Sequence, residues 1–358
     1  MKIYFLVATQ PDNLGDLLIN KMLIDEVSKY GEVFVDAEGI PEKFKHFLLK
    51  RDNVKDFVSS YAGSLKRKTM LGLLSVVKKD FDFYFKSPGP YGGEGFMLKS
   101  LVNRAVMTYQ FRYFSKAGLS VNAVGNDIIL NNKLNVFCEK YINKYFSNTL
   151  VRSKENIEEL KSHEINNVDY ISDVGFLYKE FNNSVKKNKV FISFRDLKDV
   201  NYNKKIDDYL ENVIPFFKAK AMEVVFFHQV ESDKLYNTFL YKKFKKYDCE
   251  IIRNCVWYDE ISENYNQSSY IITNRLHVMI LGIVHHAVPL LVLKDDAITS
   301  KINRILRDND IEHLVQDINL DFKEFHNNYG INQAKIINIA KENLKNCQEN
   351  IANIFKQA

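Results

Sequence analysis

Residues Tyr270 to Leu293 read YIITNRLHVMILGIVHHAVPLLVL, a pattern that predicts an α/β fold. Its two ends, "YIITN" and "PLLVL", are short and almost wholly apolar, as expected of strands that a parallel sheet buries on both faces. The segment between them, "LHVMILGIV", has the character of a buried helix. A strand, a helix and a second strand in this order form a βαβ unit, which predicts a parallel sheet.

The same alternation runs through the rest of the second half. Each predicted strand is followed by a segment with helical apolar spacing. Besides the two strands above, the predicted strands are "VFISFR" (Val190 to Arg195), "EVVFFHQ" (Glu223 to Gln229) and "EIIR" (Glu250 to Arg253). Five β-then-α steps predict a doubly wound parallel sheet.

The first half begins in the same way. A strand at Ile3 to Ala8 precedes apolar residues at helical spacing from Leu17 to Tyr30, and "EVFVDA" then predicts a second strand. Further strands are predicted at Val121 to Val124, Thr149 to Arg152 and Val168 to Ile171.

These patterns predict an α/β protein with two Rossmann-like domains in tandem and an interdomain cleft. A polar, turn-rich segment between Tyr178 and Lys189 marks the linker. We therefore expect domains at 1–180 and 187–325, followed by a C-terminal helix at 331–358 that packs at the domain junction.

Length and composition agree with two packed domains. The chain has 358 residues, which is too long for one ordinary core, and 46% of them are apolar, which is enough to fill two. Its cysteines lack the CxxC spacing of zinc and redox sites, which predicts reduced thiols; they are Cys138, Cys249, Cys255 and Cys347. The first residues do not resemble a signal peptide, and no apolar run approaches the roughly 20 residues that span a bilayer. We expect a cytoplasmic protein.

The charge is modest, with a formal value of +5. Lys66 to Lys68 and the stretch from Phe96 to Gly118 are locally basic. One interpretation is a solvated loop and an amphipathic helix, and the other is a peripheral contact with the inner face of the membrane. No nucleic-acid-binding module accompanies the charge, so we expect no nucleic-acid partner.

The sequence predicts neither a metal nor a cofactor. His277, His285 and His286 lack the i, i+4 spacing of zinc ligands. Neither a Gly-x-Gly-x-x-Gly motif nor a Gly-Lys-Ser/Thr loop is present, so dinucleotide binding and ATP hydrolysis lack their usual signals.

Charged residues follow two strands of the second half. Arg195 ends the first of these strands, and Arg275 and His277 lie between "YIITN" and its helix. Ligands of open α/β sheets bind beyond the carboxyl ends of the strands, and a helix N-terminus attracts anions. The planar fork of arginine matches carboxylate and phosphate oxygens, while histidine exchanges protons near neutral pH.

These residues also have structural interpretations. Arg275 would then cap surface carbonyl groups, and His277 would be covered by its neighbours. Arg195 would pair with Asp196 or Asp199.

The order of several motifs resembles the polysaccharide pyruvyltransferase family, over a span from Ile3 to roughly Leu314. In the second half these motifs are "VFISFRD", "VVFFHQVESD", "YDEISENYNQSSYIITNRLHVMILGIVHHAVPLLVL" and "SKINRIL". In the first half they are "DNLGDLLI", "VNAVGN" and "LVRSKENIEELKSHEINNVDYISDVGF". The resemblance implies a fold similar to the GT-B glycosyltransferases. It also implies transfer of a pyruvyl group from phosphoenolpyruvate to a sugar of a bacterial surface polysaccharide or its lipid-linked precursor, as a cyclic ketal.

The family holds phosphoenolpyruvate with arginines and an Arg-Leu-His segment. By motif, the resemblance assigns donor binding to Arg195, Arg275, Leu276 and His277, and His277 is the first candidate for proton transfer. Lys301 either adds a positive charge toward the phosphate or is a solvated lysine at a helix start.

The resemblance assigns the acceptor sugar, free or lipid-linked, to the first half. Asn13, Gly15 and Asp16 would bind it, with Asp16 as a base. Alternatively, Asn13 and Asp16 form a capping box at the helix start. Gly92 and Gly93, in "SPGPYGGEG", would let the backbone approach the sugar, or they form an ordinary turn. "GND" (Gly125 to Asp127) is a further loop candidate.

Two other functions fit the same patterns. A glycosyltransferase would share the fold and use Arg275 and His277 on the diphosphate of a nucleotide sugar. A non-catalytic scaffold of a polysaccharide assembly complex would turn over no donor at all.

Overall fold

The computed structural model describes residues 1–8, 13–61, 70–91, 98–130, 132–179, 187–254, 258–294, 297–316 and 322–357. The chain divides into two compact units. Unit 1 contains the described residues of 1–11, 16–177 and 345–358, and unit 2 contains those of 12–15 and 178–344.

Unit 1 is built on a parallel sheet in the order β3-β2-β1-β4-β6-β7-β8, with β5 paired to β6. The strand order reverses between β1 and β4, as in a doubly wound fold. The strands are β1 (Lys2–Leu6), β2 (Glu32–Asp36), β3 (Val54–Asp56), β4 (Phe83–Lys86), β5 (Gly89–Tyr91), β6 (Ser120–Ile128), β7 (Asn148–Val151) and β8 (Asp169–Tyr170). The helices are α1 (Leu14–Val27), whose first two residues belong to unit 2, α2 (Glu42–Leu48), α3 (Phe57–Tyr61), α4 (Met70–Asp80), α5 (Leu98–Lys116), α6 (Lys133–Asn143) and α7 (Lys154–Ser162).

Aromatic residues fill one face of this sheet. Tyr4 of β1 stacks on Tyr84 of β4 with ring centroids 5.6 Å apart, and Phe111 and Phe114 of α5 pack against Tyr84. All four side chains are buried. Burial of each aromatic ring of this size contributes about 1.5–3 kcal/mol, which anchors the helices to the sheet.

The prediction of a loop at "GND" is wrong, because Gly125 to Asp127 lie within β6. Gly125 has φ +71°, and the pairing of β6 with β7 shifts register beside it. A glycine adopts this left-handed conformation without strain, so the segment is a bulge inside a strand. Asp127 pairs with the buried Arg152 at 2.6 Å and therefore serves the interior of unit 1.

Unit 2 is built on a second parallel sheet, in the order β11-β10-β9-β12-β13. From β9 the chain runs outward to β10 and β11 and then returns to β12 on the other side of β9. The strands are β9 (Lys189–Ser193), β10 (Glu223–Phe226), β11 (Glu250–Ile251), β12 (Ser268–Thr273) and β13 (Val288–Leu291). The helices are α8 (Val200–Ala219), α9 (Lys234–Phe244), α10 (Tyr258–Tyr265), α11 (Leu276–Val284), α12 (Ala297–Asp308), α13 (Phe322–Asn327) and α14 (Tyr329–Lys356), whose residues from Lys345 onward belong to unit 1.

The βαβ prediction for Tyr270 to Leu293 is confirmed by β12, α11 and β13. Every residue of β12 is buried, as a strand covered on both faces requires. Gly282 lets α11 lie close to the sheet, since a methyl group at this position would come within 2.8 Å of Ile271 Cγ1. Within the described part of the chain, no helix combines the length and the apolar character needed to cross a membrane.

Candidate functional site

Arg195 and Arg275 lie at the carboxyl ends of adjacent strands. Ser193 of β9 pairs with Thr273 of β12, and each arginine follows two residues after its paired residue. The strand order of unit 2 reverses between these two strands. Open α/β sheets bind ligands at this reversal, so both arginines stand at the expected ligand position.

The guanidinium of Arg195 is exposed. Among the described residues, no carboxylate lies within ion-pair distance of it. Asp196 pairs instead with Lys198 at 2.6 Å, and Asp199 pairs with Lys294 at 2.7 Å. The alternative interpretation, in which Arg195 is bridged to either aspartate, is therefore wrong, and this cation can receive an anion.

Arg275 is held by its side chain. Its Nη2 donates a hydrogen bond to Asp233 Oδ1, in a 3₁₀ turn (Glu231–Asp233) that follows β10. The side chains of Arg275 and Asp233 are 18% and 4% exposed, so this is a largely buried ion pair. Arg275 thus pairs with a buried carboxylate of the protein and not with a surface carbonyl group.

Asp233 lies within the field of both arginines. Burial raises the pKa of its carboxyl group, while the charges of Arg275 and then Arg195 act in the opposite direction. One carboxylate thus interacts with two guanidinium groups, which leaves these three side chains with a net charge of one positive unit.

His277 lies in the first turn of α11 and is partly buried. The backbone of Gly15 packs directly against its imidazole, because a methyl group at Gly15 would come within 2.2 Å of Nδ1. Asn13 forms an antiparallel bridge with Val230, and Leu14 N–H donates to Gln229 O at 3.3 Å. The structure therefore brings Gly15 and His277 together, although the sequence assigned them to different substrates.

The start of α1 supports part of the capping interpretation. Asn13 Oδ1 accepts a hydrogen bond from Gly15 N–H at 3.0 Å. Among the described residues, the Asp16 carboxylate accepts none, so the reciprocal half of a capping box is not formed there. Asp16 lies half-buried in the first turn of α1 and remains available for another role.

The other predicted site residues are Leu276, Lys301, Gly92 and Gly93. Leu276 is the first residue of α11, and Lys301 lies on α12, the helix after β13; both are partly buried. Gly92 and Gly93 lie outside the described residues.

Two residues that the sequence analysis did not single out belong to this edge. His228 follows β10 and is 2% exposed, and burial lowers its pKa. The rule that selected Arg195 also selects His228, since both come directly after apolar strands. Asp233 gives no comparable signal because it follows no strand directly.

These side chains indicate an anion site. Arg195 and Arg275 supply two guanidinium groups, and α11 begins beside them with its positive dipole end at the same edge and no side-chain cap from Arg275. His277 adds a group that exchanges protons. In the described part of the chain, no three His, Cys, Asp or Glu side chains form a cluster that could hold a metal ion.

Solved structures with similar folds support the GT-B prediction. A putative UDP-N-acetylglucosamine 2-epimerase from Listeria monocytogenes superposes with a TM-score of 0.53 at 11% identity, covering 100% of this chain and 91% of that one. UDP-GlcNAc 2-epimerase from Neisseria meningitidis, bound to UDP-GlcNAc, gives 0.52 at 12% identity and covers 99% and 98%. Acinetobacter baumannii MurG gives 0.53 at 12% identity and covers 100% of both chains. The predicted fold class is therefore confirmed.

Sequence comparison gives a more specific result. No curated protein matches the chain at a significant level. A family model, described as polysaccharide pyruvyl transferase, matches residues 13–292. The match begins at Asn13 and includes the site residues Arg195, His228, Asp233, Arg275 and His277.

Proposed function

The chain belongs to the polysaccharide pyruvyl transferase family and is a transferase, and we propose that its donor is phosphoenolpyruvate. The pyruvyl group would pass to a sugar of a bacterial surface polysaccharide, or of its lipid-linked precursor, as a cyclic ketal. The observation that carries the proposal is the pair of guanidinium groups at the strand reversal of unit 2, one of them exposed and without a described carboxylate partner.

The donor fits this edge by charge. Phosphoenolpyruvate carries a carboxylate and a phosphate on one small carbon skeleton, and each group matches the fork of an arginine. We assign its binding to Arg195, Arg275, Leu276 and His277, with Lys301 as a further positive charge toward the phosphate.

The reaction needs proton transfer at two points. A proton adds to the methylene carbon, which makes the neighbouring carbon electrophilic, and a sugar hydroxyl then attacks that carbon. The bond to the phosphate oxygen breaks, a second hydroxyl closes the ring, and inorganic phosphate leaves. The two hydroxyl protons are balanced by one proton gained at the methyl group and one gained by the phosphate. We assign proton transfer to His277, a contribution typically worth a factor of about 10² to 10⁴.

Binding of the acceptor sugar is assigned to the first half of the chain. We assign it to Asn13, Gly15, Asp16, Gly92 and Gly93, with Asp16 as the base toward a sugar hydroxyl. The contact of Gly15 with His277 supports a placement of the acceptor loop beside the donor residues. We further propose that the protein works in the cytoplasm, at the inner face of the membrane when the acceptor is lipid-linked.

A second candidate is a transferase that uses a nucleotide sugar. The neighbour from Neisseria meningitidis is bound to UDP-GlcNAc, and two arginines also suit a diphosphate. Donor choice separates the two candidates.

Incubation of the protein with phosphoenolpyruvate and an extract of lipid-linked sugars tests the proposal. We expect release of inorganic phosphate, together with a sugar product whose mass has increased by one pyruvyl ketal. Parallel incubations contain UDP-, GDP- or CMP-sugars in place of phosphoenolpyruvate. Turnover with a nucleotide sugar alone would favour the second candidate, and no turnover with any donor would indicate a scaffold.

A further inference from the structure

The two arginines of the site are held in opposite ways. Arg275 is fixed through its guanidinium, which binds the buried carboxylate of Asp233. Arg195 is fixed through its main chain, and its guanidinium stays exposed. Arg195 is therefore the arginine whose guanidinium is not held by a described carboxylate, so the position of its charged group depends on where its main chain is held.

One side chain holds that main chain. Asn274 Oδ1 accepts a hydrogen bond from Arg195 N–H at 2.7 Å, and Asn274 Nδ2 donates to Arg195 O at 2.9 Å. The carboxamide thus occupies the position of a neighbouring strand and joins the end of β9 to the residue just before Arg275. The pairing of Ser193 with Thr273 fixes the two strand ends, and this bridge extends that link to Arg195 itself, so its loss would release the main chain of Arg195 relative to Arg275.

The orientation of the carboxamide is itself fixed. Asn274 is 6% exposed, and its Nδ2 donates a further hydrogen bond to Tyr202 Oη at 3.0 Å. Tyr202 Oη donates in turn to Val292 O at 2.6 Å, beside β13. Asn274 is therefore held between two strands and α8, and it bears no charge that could bind an anion.

We propose that Asn274 is a positioning residue for donor binding, acting through Arg195. This inference rests on the proposed function, since it takes phosphoenolpyruvate as the ligand. Asn274 fixes the main chain of Arg195 at the distance from Arg275 at which two guanidinium groups bind the carboxylate and the phosphate of one molecule. Without it, the exposed side chain must be ordered from a wider range of starting positions, which costs conformational entropy on binding.

The chain contains a matched control for this pair of hydrogen bonds between a carboxamide and a main chain. In unit 1, Asn156 holds Ile128 by the same two bonds: Ile128 N–H donates to Oδ1 at 2.9 Å, and Nδ2 donates to Ile128 O at 2.8 Å. Asn156 is fully buried. Its replacement removes an equivalent carboxamide bridge from a residue that has no proposed role in donor binding.

A double-mutant cycle tests the proposal. Phosphoenolpyruvate is titrated calorimetrically into the wild type, Asn274→Ala, Arg195→Ala and the double variant. We expect Asn274→Ala to weaken binding about tenfold in the wild-type background and to have no further effect once Arg195 is alanine, because a residue that acts only through another shows no effect in its absence. Asn156→Ala should lower the melting temperature by a similar amount but leave the affinity unchanged.

The outcomes are distinguishable. Wild-type protein that does not bind phosphoenolpyruvate would overturn the proposed function and this inference with it. Wild-type protein that binds, together with an Asn274→Ala variant of equal affinity, would overturn the inference alone. So would a loss of affinity that persists undiminished in the Arg195→Ala background. If Asn274→Ala does not fold, Asn274→Ser is measured in its place with the same expectations, because its side chain is too short to bridge both main-chain atoms.

Discussion

A methyl group at position 15 would collide with His277. Built on the backbone of Gly15, it lies 2.2 Å from Nδ1 and 2.8 Å from Cγ of the imidazole, whereas ordinary contacts begin at 3.4 Å. The ring must therefore retreat by about 1 Å. A displacement of this size costs up to about 10²-fold in rate when it affects a reacting group. We expect Gly15→Ala to lower kcat/KM for phosphoenolpyruvate by about that factor.

The stability of this variant should fall as well. Gly15 lies in α1 and has no left-handed φ, so alanine suits its backbone and favours the helix by about 0.5–1 kcal/mol, but the collision with His277 in a packed contact costs about 1–3 kcal/mol. Gly330→Ala is the control, since Gly330 is also helical and a methyl group there meets nothing within 4 Å. Phosphate release and thermal denaturation are measured for both variants. Wild-type turnover by Gly15→Ala would refute the placement of His277 against this loop as a requirement for activity.

Three further predictions concern charge. Arg195→Ala should leave the melting temperature unchanged, whereas Arg275→Ala should cost on the order of 3 kcal/mol because it leaves the buried Asp233 carboxylate without its partner; equal melting temperatures would contradict this contrast. Because burial raises the pKa of Asp233, the folded state keeps its proton to higher pH than the unfolded state does, so this group lowers the free energy of unfolding as pH rises above about 3.9. Urea denaturation at several pH values should give a slope of the free energy of unfolding against pH that is more negative in the wild type than in Asp233→Asn, and equal slopes would contradict this. Burial lowers the pKa of Lys86 to about 7, so Lys86 contributes a rise in the free energy of unfolding with pH from there to about 10.4. Burial also lowers the pKa of Lys187 to about 8, so Lys86→Met should reduce the rise without abolishing it, and an unchanged slope would exclude Lys86 as a source.

The fold was predictable because its strands are short apolar runs that alternate with helical patterns. The exact strand ends were not. β9 ends at Ser193 and not at Arg195, because the main chains of Phe194 and Arg195 bond to the side chains of Asn237 and Asn274 and not to a neighbouring strand. The edge strand β3, with three residues and a single apolar side chain among them, has no pattern long enough to recognise.

The site was predictable only in part. The positions of Arg195 and Arg275 followed from the rule that ligands bind at the carboxyl ends of strands. The pairing of Arg275 with Asp233 did not, because 42 residues separate them along the chain and no periodicity relates them. The contact of Gly15 with His277 is formed only in the tertiary structure, and no local sequence pattern predicts it. Whether these residues bind the donor remains a prediction.

A crystal structure of the protein with phosphoenolpyruvate would show whether the two arginines bind the donor. We expect the ligand at the carboxyl ends of β9 and β12, with the guanidinium nitrogens of Arg195 and Arg275 at about 3 Å from its carboxylate or phosphate oxygens. Phosphoenolpyruvate bound elsewhere, with neither arginine in contact, would contradict the account.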